Sequence, residues 1–269
     1  MNSPVKIAVT GIAGRMGQSI ATEVLSRNSD AALSAGFARK GSVYIGRDIG
    51  DVLRIDKLGI SVVPDCNNGF NADVLIDFSH PSALAMHLDW CLKHKAALVL
   101  GTTGLTDDDL QTLREAAQHI PILHSGNMSI GIAVMQNTVQ EMAKVLGPEY
   151  DIEIVETHHK HKVDAPSGTA LMLAESAAAG RGVTLKEKAV FERYGQTGER
   201  KKGDIGLQTL RGGEIIGDHT VMFLGPSERL EISHKAINRN LFSKGAVDAA
   251  CWLSQKQAGL YSLQDMLKS

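Results

Sequence analysis

Apolar positions along this chain follow two regimes, and the change between them falls near residue 130. Before it, short and mostly apolar runs at 5–10, 32–37, 74–78, 97–100 and 120–123 predict strands. Stretches of helical spacing at 18–26, 81–93 and 106–119 separate several of them. Apolar runs this short suit strands covered on both faces, and their alternation with helices predicts repeated β–α units around a parallel sheet. Asp107, Asp108 and Asp109 fall in a first helical turn and read as caps, since the helix dipole favours carboxylates there. His80 and Trp90 read as packing or surface.

After residue 130 the pattern changes. A helix is expected over 130–146, followed by Asp151-Ile152-Glu153-Ile154-Val155, whose alternation marks a half-buried strand. A second helix begins at Ala170-Leu171-Met172-Leu173-Ala174. Strand-like segments at 189–191, 205–210, 219–224 and 229–234 come next, with Arg211-Gly212-Gly213-Glu214 the clearest of the turns between them. This predicts an α+β block with a mixed sheet. A helix over 241–257, with Ala246, Ala249, Ala250 and Leu253 on one face, returns to the first domain, and Ser129 and Asn240 are the expected hinges. Residues 193–203, rich in glycine and basic side chains, read as a mobile stretch over the site or at a subunit contact.

Composition narrows the functional classes. At 269 residues the chain can bury one large core or two. Lys and Arg number 28 against 30 Asp and Glu, so no basic field points to nucleic acid. Aromatic residues at 4% leave little for stacking bases. Cys66, Cys91 and Cys251 are far apart and lack CxxC spacing, which fits unpaired, buried thiols in a reducing compartment. Met1-Asn2-Ser3-Pro4 carries no secretory signal pattern, and no apolar run approaches a membrane span. A cytoplasmic protein acting on a small molecule, away from nucleic acid and membrane, is expected.

The densest chemistry lies between the alternating strand and the helix that follows it. His158, His159, Lys160, His161 and Lys162 occupy five consecutive positions. Like charges this close repel, so some should titrate below their free values and be able to transfer a proton at neutral pH. Pro166-Ser167-Gly168-Thr169 has the composition of a helix start, where a hydroxyl caps and unpaired N–H groups receive an anion. A proton donor beside a carboxylate cradle makes an active site. The competing readings are a solvated basic face, and a zinc site using His158 with His161 or His159 with His161. Against zinc stand the lack of a nearby Cys and the repulsion from Lys160 and Lys162, so no metal is expected.

A second constellation closes the first strand. Gly11, Gly14 and Gly17 sit between that strand and a helix, the setting in which glycines signal dinucleotide binding, here as G-x-x-G-x-x-G. The end of the second strand reads Ala38-Arg39-Lys40, two cations where an NAD site usually has a carboxylate. That favours the 2′-phosphate of NADPH, with a solvated basic turn as the alternative. Gly101-Thr102-Thr103 and Asn127 close later strands on the same edge and are candidates for the nicotinamide half.

Residues 156–170 together resemble the signature of dihydrodipicolinate reductases (4-hydroxy-tetrahydrodipicolinate reductases) of bacterial lysine biosynthesis. Gly11 to Gly17, Gly101-Thr102-Thr103-Gly104, Thr197-Gly198-Glu199-Arg200 and Arg211-Gly212-Gly213 match in the same order, so the likeness spans nearly the whole chain. It implies an α/β fold in which 1–129 and 241–269 form a Rossmann-like dinucleotide-binding domain. Residues 130–240 would form an α+β substrate-binding and tetramerisation domain with a mixed sheet. The family implied reduces a cyclic dicarboxylate with NADPH or NADH and assembles as a homotetramer. By the resemblance His158 is a proton donor or acceptor, Lys162 the proton donor, and His159, Gly168 and Thr169 substrate contacts. The implied cofactor contacts are Gly11, Ile12, Ala13, Gly14, Arg15, Met16, Arg39, Gly101, Thr102, Thr103, Ser125, Gly126, Asn127 and Met128. Ala38 stands where many members have Glu, which favours NADPH, and Met128 stands where some carry an aromatic. Two other classes compete: a non-catalytic NADPH-sensing regulator on this fold, and a zinc-dependent oxidoreductase or hydrolase.

Overall fold

The computed structural model describes residues 3–27, 29–64 and 70–268. Cys66 and the first two residues, on which expectations were placed, lie outside the described residues. In chain order the first elements are β1 (Val5–Val9), α1 (Arg15–Ser26), β2 (Ala31–Phe37), α2 (Ile49–Leu53) and β3 (Val62–Val63). They continue with β4 (Val74–Asp77), α3 (Leu84–His94), β5 (Ala97–Leu100), α4 (Asp107–Ala116) and β6 (Pro121–His124). There follow α5 (Ile130–Leu146), β7 (Asp151–His158), α6 (Gly168–Arg181), α7 (Leu185–Lys188), β8 (Ala189–Val190) and β9 (Ile205–Arg211). The chain ends with β10 (Asp218–Leu224), β11 (Arg229–Lys235), α8 (Asn240–Leu253), β12 (Gly259–Tyr261) and α9 (Leu263–Leu267).

These elements divide into two compact units, residues 1–129 with 240–269, and residues 130–239. Asn240, assigned from sequence to the second domain, opens α8 and belongs to the first unit. Among the described residues the first unit holds a seven-stranded sheet in the order β12-β6-β5-β4-β1-β2-β3, parallel at every pairing. β4 and β5 are buried along their whole length, which explains why the sequence shows continuous apolar runs there. The strand order reverses direction at β1 and β4, and in parallel sheets the ligand crevice forms at the carboxyl ends beside such a reversal. Thr106 and Asp109 form a capping box at the start of α4, so the acidic triplet does serve its end. Trp90 is a core residue, and exposed His80 caps a single 3-10 turn, Pro81–Ala83. Cys91 is buried, whereas Cys251 is only half-buried.

The second unit packs α5 and α6 against one face of a mixed sheet ordered β11-β10-β7-β9-β8. β7 pairs antiparallel with β10 and parallel with β9. Along β7 the buried positions are Ile152, Ile154, Glu156 and His158. The strand's two-residue period therefore carries a carboxylate and an imidazole onto the same inward face as two isoleucines. On β10 the buried positions are His219, Val221 and Phe223, which brings a second imidazole to that face.

Residues 193–203, expected to be mobile, are anchored to the sheet at Arg193 and Arg200, with 194–199 exposed between them. Arg200 bonds the carboxylates of Asp151 and Glu153 and the carbonyls of Ile152 and Asp204, and Arg193 forms a two-point bridge to Glu153. Glycines and charges predicted mobility, but the arginines find acidic partners on the sheet.

Candidate active site

In the second unit the chemistry is built on one carboxylate. Glu156 has no solvent exposure, and an unpaired carboxylate there would cost several kcal/mol to desolvate. It is fully partnered. Arg211 grips it with both guanidinium tips, Nη1 to Oε2 at 2.8 Å and Nη2 to Oε1 at 2.9 Å. The Ser167 amide (3.0 Å) and the Thr209 hydroxyl (3.1 Å) donate to Oε1, and His158 Nδ1 lies 2.5 Å from Oε2. Burial pushes this carboxyl up, but Arg211, His158 and the Ser167 amide outweigh burial and bring its pKa down to about 2. Glu156 is thus an anion at neutral pH, and His158 must carry its proton on Nδ1.

Two imidazoles of this cluster, His158 and His219, are shifted below their ordinary value. For His158 burial is the main cause, opposed by Glu156 and reinforced by Lys162 and Arg211. For His219 burial and then His158 bring the pKa down to about 4, with His234 and Lys162 adding to the effect against Glu156. The sequence pointed to crowding of like charges; in the structure burial comes first. The rings of His158 and His219 meet edge to face with centroids 5.1 Å apart, and His219 Nε2 lies 3.1 Å from the Ser167 hydroxyl. That hydroxyl also accepts the Ala170 amide at 3.2 Å, which makes Ser167 the N-cap of α6.

The other loop residues separate by partner. Lys162 is half-buried, its Nζ 2.9 Å from Asp164 Oδ1, and its amide donates to the His159 carbonyl at 3.1 Å. That contact with Lys162 is the chief reason the Asp164 carboxyl stays below its usual range. The His159 amide donates to the Ile215 carbonyl at 2.7 Å, and its Nδ1 is buried with no hydrogen-bond partner among the described residues. Gly168 and Thr169 open α6; Gly168 is exposed, and a Cβ there would meet nothing within 4 Å. Lys160 and His161 lean on exposed Glu214, which is the solvated-face reading for those two side chains. Among the described residues no three His, Cys, Asp or Glu side chains gather as metal ligands.

In the first unit the glycine turn fits a dinucleotide. Gly11 adopts φ +60°, the Gly14 amide donates to the Gly11 carbonyl at 2.8 Å, and a Cβ on Gly17 would fall 2.2 Å from that same oxygen. Gly14 caps α1 without a side-chain bond, so the first-turn amides remain for phosphate oxygens. Ala13 and Met16 are half-buried and Arg15 is exposed around that turn. Ile12 is wholly buried and Met128 nearly so, so both pack as core residues beside the turn and the loop after β6. Arg39 stands exposed just after β2, a strand joined to the glycine turn by the Ile12 amide and Phe37 carbonyl.

A cavity of about 590 Å³ lies at the ends of β4 and β5, lined by Phe78, Ser79, His80, Pro81, Gly101, Thr102, Thr103 and Gly104. Gly101 is required there, since its Cβ would strike the Phe78 ring at 2.4 Å. The hydroxyls of Ser79 and Thr102 are buried with no partner among the described residues, and they suit a polar ligand in this cavity. Ser125 Oγ donates to the Asn127 carbonyl at 2.7 Å, and Asn127 Oδ1 accepts the Ser129 amide at 2.8 Å, which shapes the loop through exposed Gly126. At the end of β4, buried Asp77 accepts from Thr10 and the Ser79 amide and pairs with His87 at 2.6 Å.

Sequence reasoning missed the structural parts of Glu156, Arg211, His219 and Asp77. A signal existed for Glu156 and His219: each continues an apolar alternation as a polar residue on the buried parity.

Comparison with known proteins follows the same division. Residues 5–128 match the family model described as dihydrodipicolinate reductase, N-terminus, and 131–267 match its C-terminus. A 4-hydroxy-tetrahydrodipicolinate reductase of Psychrobacter arcticus is 45% identical over 264 residues, 98% of this chain and 95% of that protein. One from Pseudomonas fluorescens is 46% identical, covering 97% of this chain and 98% of that protein. A dipicolinate-bound dihydrodipicolinate reductase from Paenisporosarcina sp. TG-14 shares the fold with a TM-score of 0.76 at 24% identity, covering 98% of this chain and 99% of that one.

The buried groups make folding pH-dependent in a defined direction. Unfolded His219 binds a proton as the pH drops through 6.5, and the folded ring does so only near 4, so its share of stability is lost across that window. The loss is on the order of 3 kcal/mol. Glu156 adds a second loss from about 4.5 down to about 2, because its unfolded carboxyl protonates first. Urea denaturation between neutral pH and about 4 tests the first window: His219→Gln should flatten the decline by that amount, and an unchanged slope would mean that His219 is not held neutral.

Proposed function

The chain belongs to the dihydrodipicolinate reductase family and is a reductase of the diaminopimelate route to lysine, and from that premise we propose that NADPH is its preferred reductant and Lys162 its proton donor. The substrate is 4-hydroxy-tetrahydrodipicolinate and the product tetrahydrodipicolinate. One observation carries the reading. On the loop joining β7 to α6, a half-buried ammonium, an imidazole whose buried nitrogen has no partner among the described residues, and a helix start opened by exposed Gly168 occur together.

When bound, a reduced nicotinamide would supply hydride to C4 of the ring from which the C4 hydroxyl and a neighbouring ring proton have left as water. Negative charge then runs through the conjugated C=C–C=N system to the ring nitrogen, and Lys162 gives that nitrogen its Nζ proton. Asp164, 2.9 Å from Nζ, holds the ammonium in direction. His159 and the amides of Gly168 and Thr169 receive the two carboxylates, whose charge is fixed throughout, so these contacts are preorganised. His158 exchanges a proton through Nε2, since Glu156 occupies Nδ1.

The backbone from Gly11 to Met16 would hold the pyrophosphate, including Ile12, Ala13 and Arg15. Gly101, Thr102, Thr103, Ser125, Gly126, Asn127 and Met128 would line the nicotinamide half. Arg39 recognises the 2′-phosphate; buried Ala38 beside it brings no carboxylate to repel that group. Exposed Phe191, Tyr194, Leu210 and Leu230 support assembly through the second unit's sheet into a homotetramer. Among the described residues no helix is long and apolar enough to cross a membrane, and we place the enzyme in the cytoplasm.

Lys162→Met should lower turnover by roughly 10²- to 10⁴-fold while leaving the dissociation constant for NADPH unchanged. Steady-state kinetics with freshly prepared substrate and direct cofactor titration measure both, and turnover near that of the parent would remove Lys162 from its role. Arg39→Ala should raise the KM for NADPH about tenfold more than that for NADH. Parallel increases for the two cofactors would rule out phosphate recognition by this side chain.

A further inference from the structure

The Glu156 carboxylate touches no reacting atom in the scheme above, yet the groups that do are tied to it. Its Oε2 meets His158 Nδ1 at 2.5 Å. Its Oε1 accepts the amide of Ser167, the residue that caps α6 and precedes Gly168 and Thr169. Arg211 Nη2 bonds that oxygen and also the Asp164 carbonyl at 2.7 Å, and Asp164 in turn pairs with Lys162. We propose that Glu156 is a positioning residue which, with Arg211, fixes His158 as its Nδ1–H tautomer and holds Lys162 and the α6 amides in register with it. The proposal rests on the reading of this loop as the reductase site.

An ionised carboxylate has no proton to give, so the shared proton must lie on His158 Nδ1. Nε2 is then the nitrogen left to exchange protons. It faces Gly217, where a Cβ would come within 2.9 Å of it, so the chain keeps that side of the ring clear. The same carboxylate spans the loop: Glu156 and Ser167 are eleven residues apart and joined by one hydrogen bond. A buried ion pair contributes little net stability compared with apolar residues of similar size. What Glu156 and Arg211 supply is direction, since a two-point fork allows a single mutual orientation.

Charged groups reach His158 from each element around it: Glu156 from β7, Arg211 from β9, Lys162 from the loop, and His219 from β10 with His234 of β11 beyond it. Glu156 is the anion in this set. With it neutralised, the remaining cations should drive the titration of His158 to lower pH.

The test is Glu156→Gln in the full-length enzyme, with substrate and NADPH. Long-range proton–nitrogen correlation spectra of the imidazoles should show His158 as the Nδ1–H tautomer in the parent. In the variant that fixed tautomer should be lost and the titration midpoint should fall. The kcat should drop roughly 10- to 1000-fold, with the KM for NADPH within about twofold. An Nε2–H tautomer in the parent, or a variant with parental kcat, would overturn the proposal. Should Glu156→Gln fail to fold, Arg211→Lys keeps the positive charge and loses the fork. It is expected to lose at least about tenfold in kcat at unchanged NADPH KM, and parental kcat there would overturn the proposal equally. A parent enzyme that fails to consume NADPH with this substrate would instead refute the functional reading, whatever the variants do.

Discussion

Glu156 is a charge with no solvent exposure, and the second unit is arranged to make that possible. Its position is dictated by register: β7 alternates, and once Ile152 and Ile154 face the helices, Glu156 and His158 must face them too. Desolvation alone would protonate such a carboxyl. The guanidinium of Arg211, the Ser167 amide, the Thr209 hydroxyl and the His158 ring reverse that outcome. These donors come from β9, from the helix start and from β7 itself. Satisfying one charge therefore shapes the loop that carries the chemistry.

The two units meet different demands with different residues. In the proposed reading the first binds through backbone; Gly17 against the Gly11 carbonyl and Gly101 against the Phe78 ring leave no room for a Cβ. The second works through charge. An ionised carboxylate, an imidazole whose burial disfavours its charged form and a half-buried ammonium paired with Asp164 lie within one loop and its flanking strands. Groups held in different protonation states at one pH are what proton transfer requires.

Much of this was legible in the sequence. The β–α alternation, the change of regime near residue 130, the Asp109 cap and the Ser167 helix start all follow from local pattern, and each appears in the structure. The short α2 and β3 did not show, because five residues and two residues are too few for a period to emerge. β12 was missed for the same reason. Arg200 misled in the other direction, since a basic, glycine-containing stretch looks unanchored until its acidic partners, Asp151 and Glu153, are brought opposite by the sheet. Within the site, the crowded cations of the loop were visible at once. Glu156, Arg211 and His219 were not, because 55 residues separate the first two and 52 separate Ser167 from His219, and only the strand pairing brings them together. His161 and Lys160 belong to the motif by position but face Glu214 and solvent.

The proposed chemistry has a ring with two carboxylates bound at the start of α6 and its nitrogen presented to Lys162. Its most direct test is a crystal structure with pyridine-2,6-dicarboxylate and a reduced nicotinamide dinucleotide bound together. The account predicts one ring carboxylate on the amides of Gly168 and Thr169, and the ring nitrogen within hydrogen-bond reach of Lys162 Nζ, about 3 Å. A ring bound elsewhere, or turned so that Lys162 meets only solvent, would contradict it.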